Sequence, residues 1–225
     1  MAFRVTTTAA TRACRALILG PPGGGKGTLS ERLVRDFDFA HISSGDALRN
    51  QIAAGTDAGK AAESYIAKGA LVPDEVVTSL VVDQLSSVEL AKSWLLDGFP
   101  RTKEQAMSLE ASFDIDIVLN LDIPEEEILS RLGDRRVHVA SGRSYHLKWN
   151  PPKVDGVDDD TGEPLIQRPD DTEDAILDRL YTYRTLTTPL IDHYAAQGKL
   201  HTFTGTESDI IWPVMHEAVE GFMNE

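Results

Sequence analysis

The chain has 225 residues, 41% of them hydrophobic; it can bury a substantial core, and its length exceeds the usual single-domain mode, so a core carrying inserted lobes is expected. A formal net charge of −14 argues against a nucleic-acid or anionic-membrane partner, and no apolar run approaches a bilayer's span. Cys14 is the only cysteine, which excludes an internal disulfide and any cysteine-based zinc site and fits a reducing, intracellular compartment.

Residues 1–15 contain Arg4, Arg12 and Arg15, three consecutive threonines and no acid. That composition is similar to a mitochondrial transit peptide, with a short extension ahead of the first strand as the alternative, so the mitochondrial matrix is favoured over the cytoplasm. An apolar run at 16–19 predicts a strand, and Leu29, Leu33, Val34 and Phe37 then recur at helix spacing. Residues 41–46 read as a short turn into a second helix, with Ser44 or Asp46 as its cap. Gly55 and residues 69–73 punctuate the stretch after that helix begins, and 74–85 has the pattern of an amphipathic helix. Residues 93–97 read as a buried strand ending on Asp97 and the sharp turn Gly98-Phe99-Pro100. Residues 115–121 form another apolar strand, and Pro124 stands where a helix can begin.

Between Gly133 and Asp171 the composition changes. Residues 137–149 resemble a hairpin around a glycine, followed by Asn150-Pro151-Pro152 and an acidic loop at 155–163, the pattern of a small β-rich insertion. A helical pattern then covers 172–197, a short strand 200–203, and a final helix ends the chain. Strands alternating with helices predict an α/β fold with a central parallel sheet and helices on both faces.

The stretch Gly20-Pro21-Pro22-Gly23-Gly24-Gly25-Lys26-Gly27-Thr28 joins the first strand to the first helix. A polyphosphate crowds negative oxygens together, so a protein that holds one needs many backbone N–H groups at close range and a mobile cation. Glycine removes the Cβ that blocks such an approach, consecutive N–H groups form an anion nest, and the helix adds the positive end of its dipole. Lys26 reaches the outer phosphates; Thr28 offers a hydroxyl to Mg²⁺ or a phosphate oxygen, one place later than the strict motif because Gly27 intervenes. A glycine-rich turn with an incidental lysine is the alternative, and the strand before and helix after it disfavour that reading.

The second half of the chemistry lies further along. Asp97 ends an apolar strand, as does an acid that orients Mg²⁺ or its waters, and Arg101 follows a turn able to fix a guanidinium against a phosphate. Arg131 and Arg135 are one helical turn apart and are expected to share a face; Arg168 ends the insertion and Arg179 lies on the next helix. Each arginine alone reads as a surface residue. Phosphoryl transfer gives them a joint purpose, because the charge on the moving group must be met by pre-positioned cations.

Taken with the glycine loop, Ser43-Ser44-Gly45-Asp46-Ala47-Leu48-Arg49, Leu96-Asp97-Gly98-Phe99-Pro100-Arg101-Thr102 with Gln105, Arg135-Arg136-Val137-His138 and Asp158-Asp159-Asp160-Thr161-Gly162-Glu163 resemble adenylate kinases of the long-lid type, over nearly everything from Arg15 onward. The resemblance implies a P-loop NTPase core (16–42, 73–133 and 172–225) behind an N-terminal extension (1–15), with a helical lobe for the monophosphate (43–72) and a lid (134–171). It implies that Gly23, Gly25, Lys26, Gly27 and Thr28 bind the donor phosphates and that Arg131 lies against the donor base. Ser44, Arg49, Arg101 and Gln105 would hold AMP, the two arginines on its phosphate and Gln105 on its base, with Gly98 and backbone near Leu71 and Val72 completing the pocket. Arg135, Arg168 and Arg179 would surround the transferred phosphoryl, together with Lys26, Arg101 and Asp97. No side chain serves as nucleophile.

Some relatives pin the lid with four cysteines around zinc. The matching positions here are His138, Ser141, Asp158 and Thr161, so a hydrogen-bonded cluster is expected in place of structural zinc, with Mg²⁺ carried by the nucleotide. Gly133, Gly142, Gly156 and Gly162 permit bending of the lid. Ser43-Ser44, residues 162–168 and residues 205–213 are most similar to the mitochondrial GTP:AMP phosphotransferase branch, which favours GTP over ATP as donor; the expected form is a monomer. Two other classes of function fit less well. A nucleotide switch lacks a guanine-reading Asn-Lys-x-Asp motif here, and a silent binding module would not need every charged position of the family.

Overall fold

A computed structural model describes residues 13–67, 70–89 and 92–224. At its centre is β1 (Arg15–Leu19), paired in parallel with β3 (Trp94–Asp97) on one side and β4 (Ile117–Asp122) on the other. β2 (Ala40–Ser43) extends the sheet beyond β3, and β7 (Leu200–Thr204) extends it beyond β4. The order is β2-β3-β1-β4-β7, and every pair is parallel.

The central strands read as near-continuous apolar runs because both faces are covered, and the two-residue period sorts their side chains. Ala16, Ile18, Leu119 and Leu121 face one way, against Leu29 and Leu33 of α1 (Lys26–Phe37), Ile128 and Leu132 of α6 (Glu125–Gly133), Ile176 and Leu180 of α7 (Glu173–Thr182), and Met215 of α9 (Ser208–Met223). Leu17, Leu19, Leu96 and Val118 face the other way. They meet Leu48 of α2 (Ser44–Ala53), Val77 and Val81 of α4 (Asp74–Ser86), Leu109 of α5 (Lys103–Glu110) and Leu190 of α8 (Pro189–Ala196). α3 (Asp57–Ala67) packs on α2.

Three local expectations are corrected. Residues 41–43, expected to begin a turn, belong to the edge strand β2; only Ile42 of its four residues is buried, so a one-sided strand this short leaves almost no hydrophobic pattern to read. The cap of α2 is Ser43, whose hydroxyl accepts from the Asp46 N–H at 3.2 Å, and neither Ser44 nor Asp46 fills that role. Arg131 and Arg135 do not share a helix face, because α6 stops at Gly133 and Arg135 opens strand β5 (Arg135–Val137).

The helical stretch at 172–197 is interrupted: Tyr183–Thr187 winds as a π-helical turn between α7 and α8, and the Thr188 N–H reaches back to the Tyr183 carbonyl at 2.9 Å. Pro189 then restarts the helix without needing an amide donor. β5 pairs antiparallel with β6 (Ser144–His146), giving the predicted hairpin. Among the described residues no helix is long and apolar enough to cross a membrane. Most of the N-terminal extension, residues 1–12, lies outside the described residues.

Candidate active site

In an open parallel sheet, ligands bind beyond the carboxyl ends of the strands. Register decides what meets there: Ile18, just ahead of the glycine loop, pairs with Asp97, and Asp97 pairs on its other side with Ser43. The glycine loop, the start of α2 and the turn after β3 therefore abut.

Gly23 and Gly25 have φ of +72° and +89°. At Gly23 space as well as φ requires glycine, since a Cβ would fall 2.7 Å from Leu132 Cγ. No side chain caps the first turn of α1, so its leading N–H groups face the loop's mouth. The Lys26 ammonium curls back and donates to the carbonyls of Gly20 and Pro21, each at 2.8 Å. Its pKa is lowered to about 8, chiefly by burial; Asp97 opposes the shift, while Arg101, Arg179 and Arg135 add to it.

Those same cations repel one another. The Arg101 guanidinium can be reached from the cleft, yet protein surrounds it on most sides; loss of bulk water and then Arg179 bring it down to about 10. Arg168 is also lowered to about 10, by burial and then by Arg135 and Arg49. Arg179 is lowered by burial and opposed by Asp170. Lys26, Arg49, Arg101, Arg135, Arg168 and Arg179 thus form one electrostatically coupled ring, with Asp97 on its edge. Two acids outside the recognised motifs hold its Arg135 and Arg179. Asp171, whose side chain has no exposed surface, accepts a two-pronged ion pair from Arg135 (Nε to Oδ2, 2.8 Å) and a bond from Arg179 at 3.3 Å; Asp170 pairs with Arg179 at 3.0 Å. Their position straight after Arg168-Pro169 was the available signal.

On the far side of the ring, Ser44, Leu48, Arg49, Leu71, Val72, Gly98, Arg101 and Gln105 line a single pocket. Because Ser43 caps α2, the Ser44 hydroxyl is available to donate to the Gly98 carbonyl at 2.7 Å, and Arg101 Nε donates to the same oxygen at 2.7 Å. Gly98 has φ +77°, and a Cβ there would meet Ser44 Oγ at 2.9 Å. Arg49 is paired with Asp46. Gln105, 2% exposed, accepts from the Arg101 N–H at 2.7 Å and donates through Nε2 to Asp74 Oδ1 at 2.7 Å. The Thr102 hydroxyl caps α5 by accepting from the Gln105 N–H and donates to Asp74 Oδ2 at 2.7 Å. In the sequence Asp74 stands out only as the start of a helix.

Arg131 stands apart from the ring. It bonds the carbonyls of Thr206 and Gly23 and lies 5.8 Å from the centre of the Trp149 ring, which stacks on His146 at 4.1 Å. It borders the other flank of the glycine loop.

The four insertion positions turn their polar atoms on one another: His138 Nδ1 is 2.7 Å from Ser141 Oγ, and Thr161 Oγ1 donates to Asp158 Oδ2 at 3.0 Å. Three further residues join them. Arg143 forms a two-pronged pair with Asp158 (2.8 and 2.6 Å), Tyr145 donates to it at 2.9 Å, and Glu163 lies 2.6 Å from His138 Nε2. The Arg143 hydrogen bonds hold Asp158 well below the usual carboxylate range. Among the described residues no three His, Cys, Asp or Glu side chains gather as a metal site. Thr28, exposed on the first turn of α1, and Asp97, beside Lys26, are hard oxygen donors. They fit Mg²⁺ that keeps its waters and rides on phosphates.

A parallel sheet with a glycine cradle at the end of β1 and a ring of cations between that cradle and a pocket is the architecture of a P-loop phosphotransferase. The sequence model of the adenylate kinase family matches residues 18–199, and the chain belongs to that family.

Proposed function

We propose that the protein is a nucleoside monophosphate kinase that reversibly transfers the γ-phosphoryl group of a Mg²⁺-bound nucleoside triphosphate to AMP, giving a nucleoside diphosphate and ADP. The observation that carries this reading is the coupled ring of Lys26, Arg49, Arg101, Arg135, Arg168 and Arg179 between the glycine loop and the Gln105 pocket. A binding site for one nucleotide has no use for so many cations facing one cleft, whereas two phosphate tails and a moving phosphoryl do.

In this reading residues 43–72 are the monophosphate lobe, 134–171 the lid, and the remainder the core. The glycine loop and Lys26 hold the donor's β- and γ-phosphates. Arg49 and Arg101 orient the AMP phosphate, whose oxygen attacks the γ-phosphorus in line; the bond to the β-phosphate oxygen breaks, and the diphosphate leaves. Arg135, Arg168 and Arg179 compensate the charge spread over the group in flight, and Asp170 and Asp171 fix where those guanidiniums point. Thr28 and, through water, Asp97 would hold Mg²⁺, which supplies charge neutralisation along the donor phosphates. Lid closure excludes water, which would otherwise accept the phosphoryl group.

GTP is the favoured donor over ATP, on the likeness of Ser43-Ser44 and of residues 162–168 and 205–213 to the GTP:AMP branch. A monomer in the mitochondrial matrix completes the reading. A matrix of ATP and GTP against AMP, GMP, CMP and UMP, with Mg²⁺ present, tests it. Turnover with AMP supports the assignment and ranks the donors; folded protein that turns over no pair overturns it.

A further inference from the structure

The Gln105 amide is clamped between two anchors of opposite polarity. Asp74 Oδ1 can only accept, so the group facing it at 2.7 Å must be Nε2; the Arg101 backbone N–H can only donate, so the group facing it at 2.7 Å must be Oε1. Asp74 is itself oriented. The Thr102 oxygen receives the Gln105 N–H at 3.2 Å, which directs its own O–H to Asp74 Oδ2 at 2.7 Å. Turning the amide over would set Oε1 against a carboxylate oxygen and Nε2–H against an N–H. Both clashes would be buried, at a residue 2% exposed.

Each end of the clamped amide keeps one bonding position, an N–H on the Asp74 side and an oxygen lone pair on the Arg101 side, and Gln105 lines the pocket. We infer that Asp74 is a positioning residue that fixes this donor–acceptor order and so restricts the acceptor nucleotide to a 6-aminopurine, rejecting 6-oxopurines. Adenine offers an acceptor at N1 beside a donor at N6, complementary to the fixed order. Hypoxanthine, the same size and shape, offers N1–H beside O6, so both contacts become like against like. A glutamine free to flip would read either base equally well; Asp74 acts through Gln105 as the side-chain half of the clamp, with the Arg101 N–H as the backbone half. The inference rests on the proposed reading of the Gln105 pocket as the AMP site.

Inosine monophosphate isolates the effect, because it differs from AMP only at those two positions. The test compares kcat/KM for AMP and inosine monophosphate at saturating Mg-triphosphate, in the full chain and in Asp74→Asn, whose amide can pair with an inverted Gln105. The wild type is expected to favour AMP strongly, and the variant to lose several-fold of that ratio, the Arg101 N–H retaining the rest, with the KM for the triphosphate unchanged. Asp74→Ala, which keeps a good helix former at the start of α4 and leaves only the Arg101 N–H anchor, is expected to lose a smaller part of the same ratio should the Asn variant not fold. A variant whose KM for AMP rises while the ratio stays fixed would show Asp74 to be merely structural and would overturn the inference. A wild type that uses both monophosphates alike overturns the clamp but leaves the kinase assignment standing. A folded wild type that phosphorylates no monophosphate overturns the assignment and the clamp with it.

Discussion

Lys26 shows how a functional group can be placed at a cost that its ligand removes. Burial and the three neighbouring arginines favour the neutral amine, so its pKa falls from 10.5 to about 8. The folded protein therefore gives up this proton before the unfolded chain does, and stability gains from this group as pH rises between those two values. In the proposed site a triphosphate in the cradle would reverse the balance and restore the charge. Triphosphate binding at pH 8–9 is then expected to take up a fraction of a proton, an uptake that fades near pH 6 and in Lys26→Arg, whose guanidinium stays charged throughout. Calorimetry in two buffers of different ionisation enthalpy measures it. Lys26, Arg101, Arg168 and Arg179 were legible in the sequence because phosphate chemistry demands cations at recognisable motifs. Asp74, Asp170 and Asp171 were not, because a residue that orients another carries no motif of its own; only the three-dimensional neighbourhood gives an acid at a helix start a second task.

The β5–β6 hairpin and the loops around it gather on Asp158, whose side chain has no exposed surface and takes bonds from Arg143, Tyr145 and Thr161. Since its folded pKa is depressed, the stabilisation it gives is complete above the unfolded value of about 3.9 and is lost as pH falls below that. The melting-temperature gap between wild type and Asp158→Asn is expected to stay constant from neutral pH down to about 5 and to shrink below about 4. The π-helical turn between α7 and α8 makes a different connection. It brings the Thr187 hydroxyl, in a residue 6% exposed, to the Arg101 carbonyl at 2.9 Å, linking the helix that bears Arg179 to the turn that bears Arg101. Thr187→Val should cost about 1 kcal/mol of stability by denaturant titration and raise the KM for AMP several-fold without moving that for the triphosphate; Thr187→Ser should restore both. Apolar period made the central strands and most helices readable in advance. It failed at β2, where three of four side chains are not buried, and at the π-helical turn, which keeps helical composition while breaking helical register.

All of these parts meet at one edge of the sheet. Parallel pairing puts the carboxyl ends of β1, β2 and β3 side by side, so the glycine loop, the Asp97 carboxylate and the Gln105 pocket arise from stretches far apart in sequence. In the proposed reading the cations between them serve two phosphate tails at once, with Arg135 and Arg168 coming from the two ends of the stretch 134–171. In the proposed reaction the γ-phosphoryl passes directly from one nucleotide to the other in a cleft from which water is shut out. The most direct measurement tracks a triphosphate labelled in that group, incubated with Mg²⁺, AMP and the full chain. Label appearing in ADP in step with the nucleoside diphosphate, with negligible free phosphate, is the predicted result; label released as inorganic phosphate, with none in ADP, would contradict it.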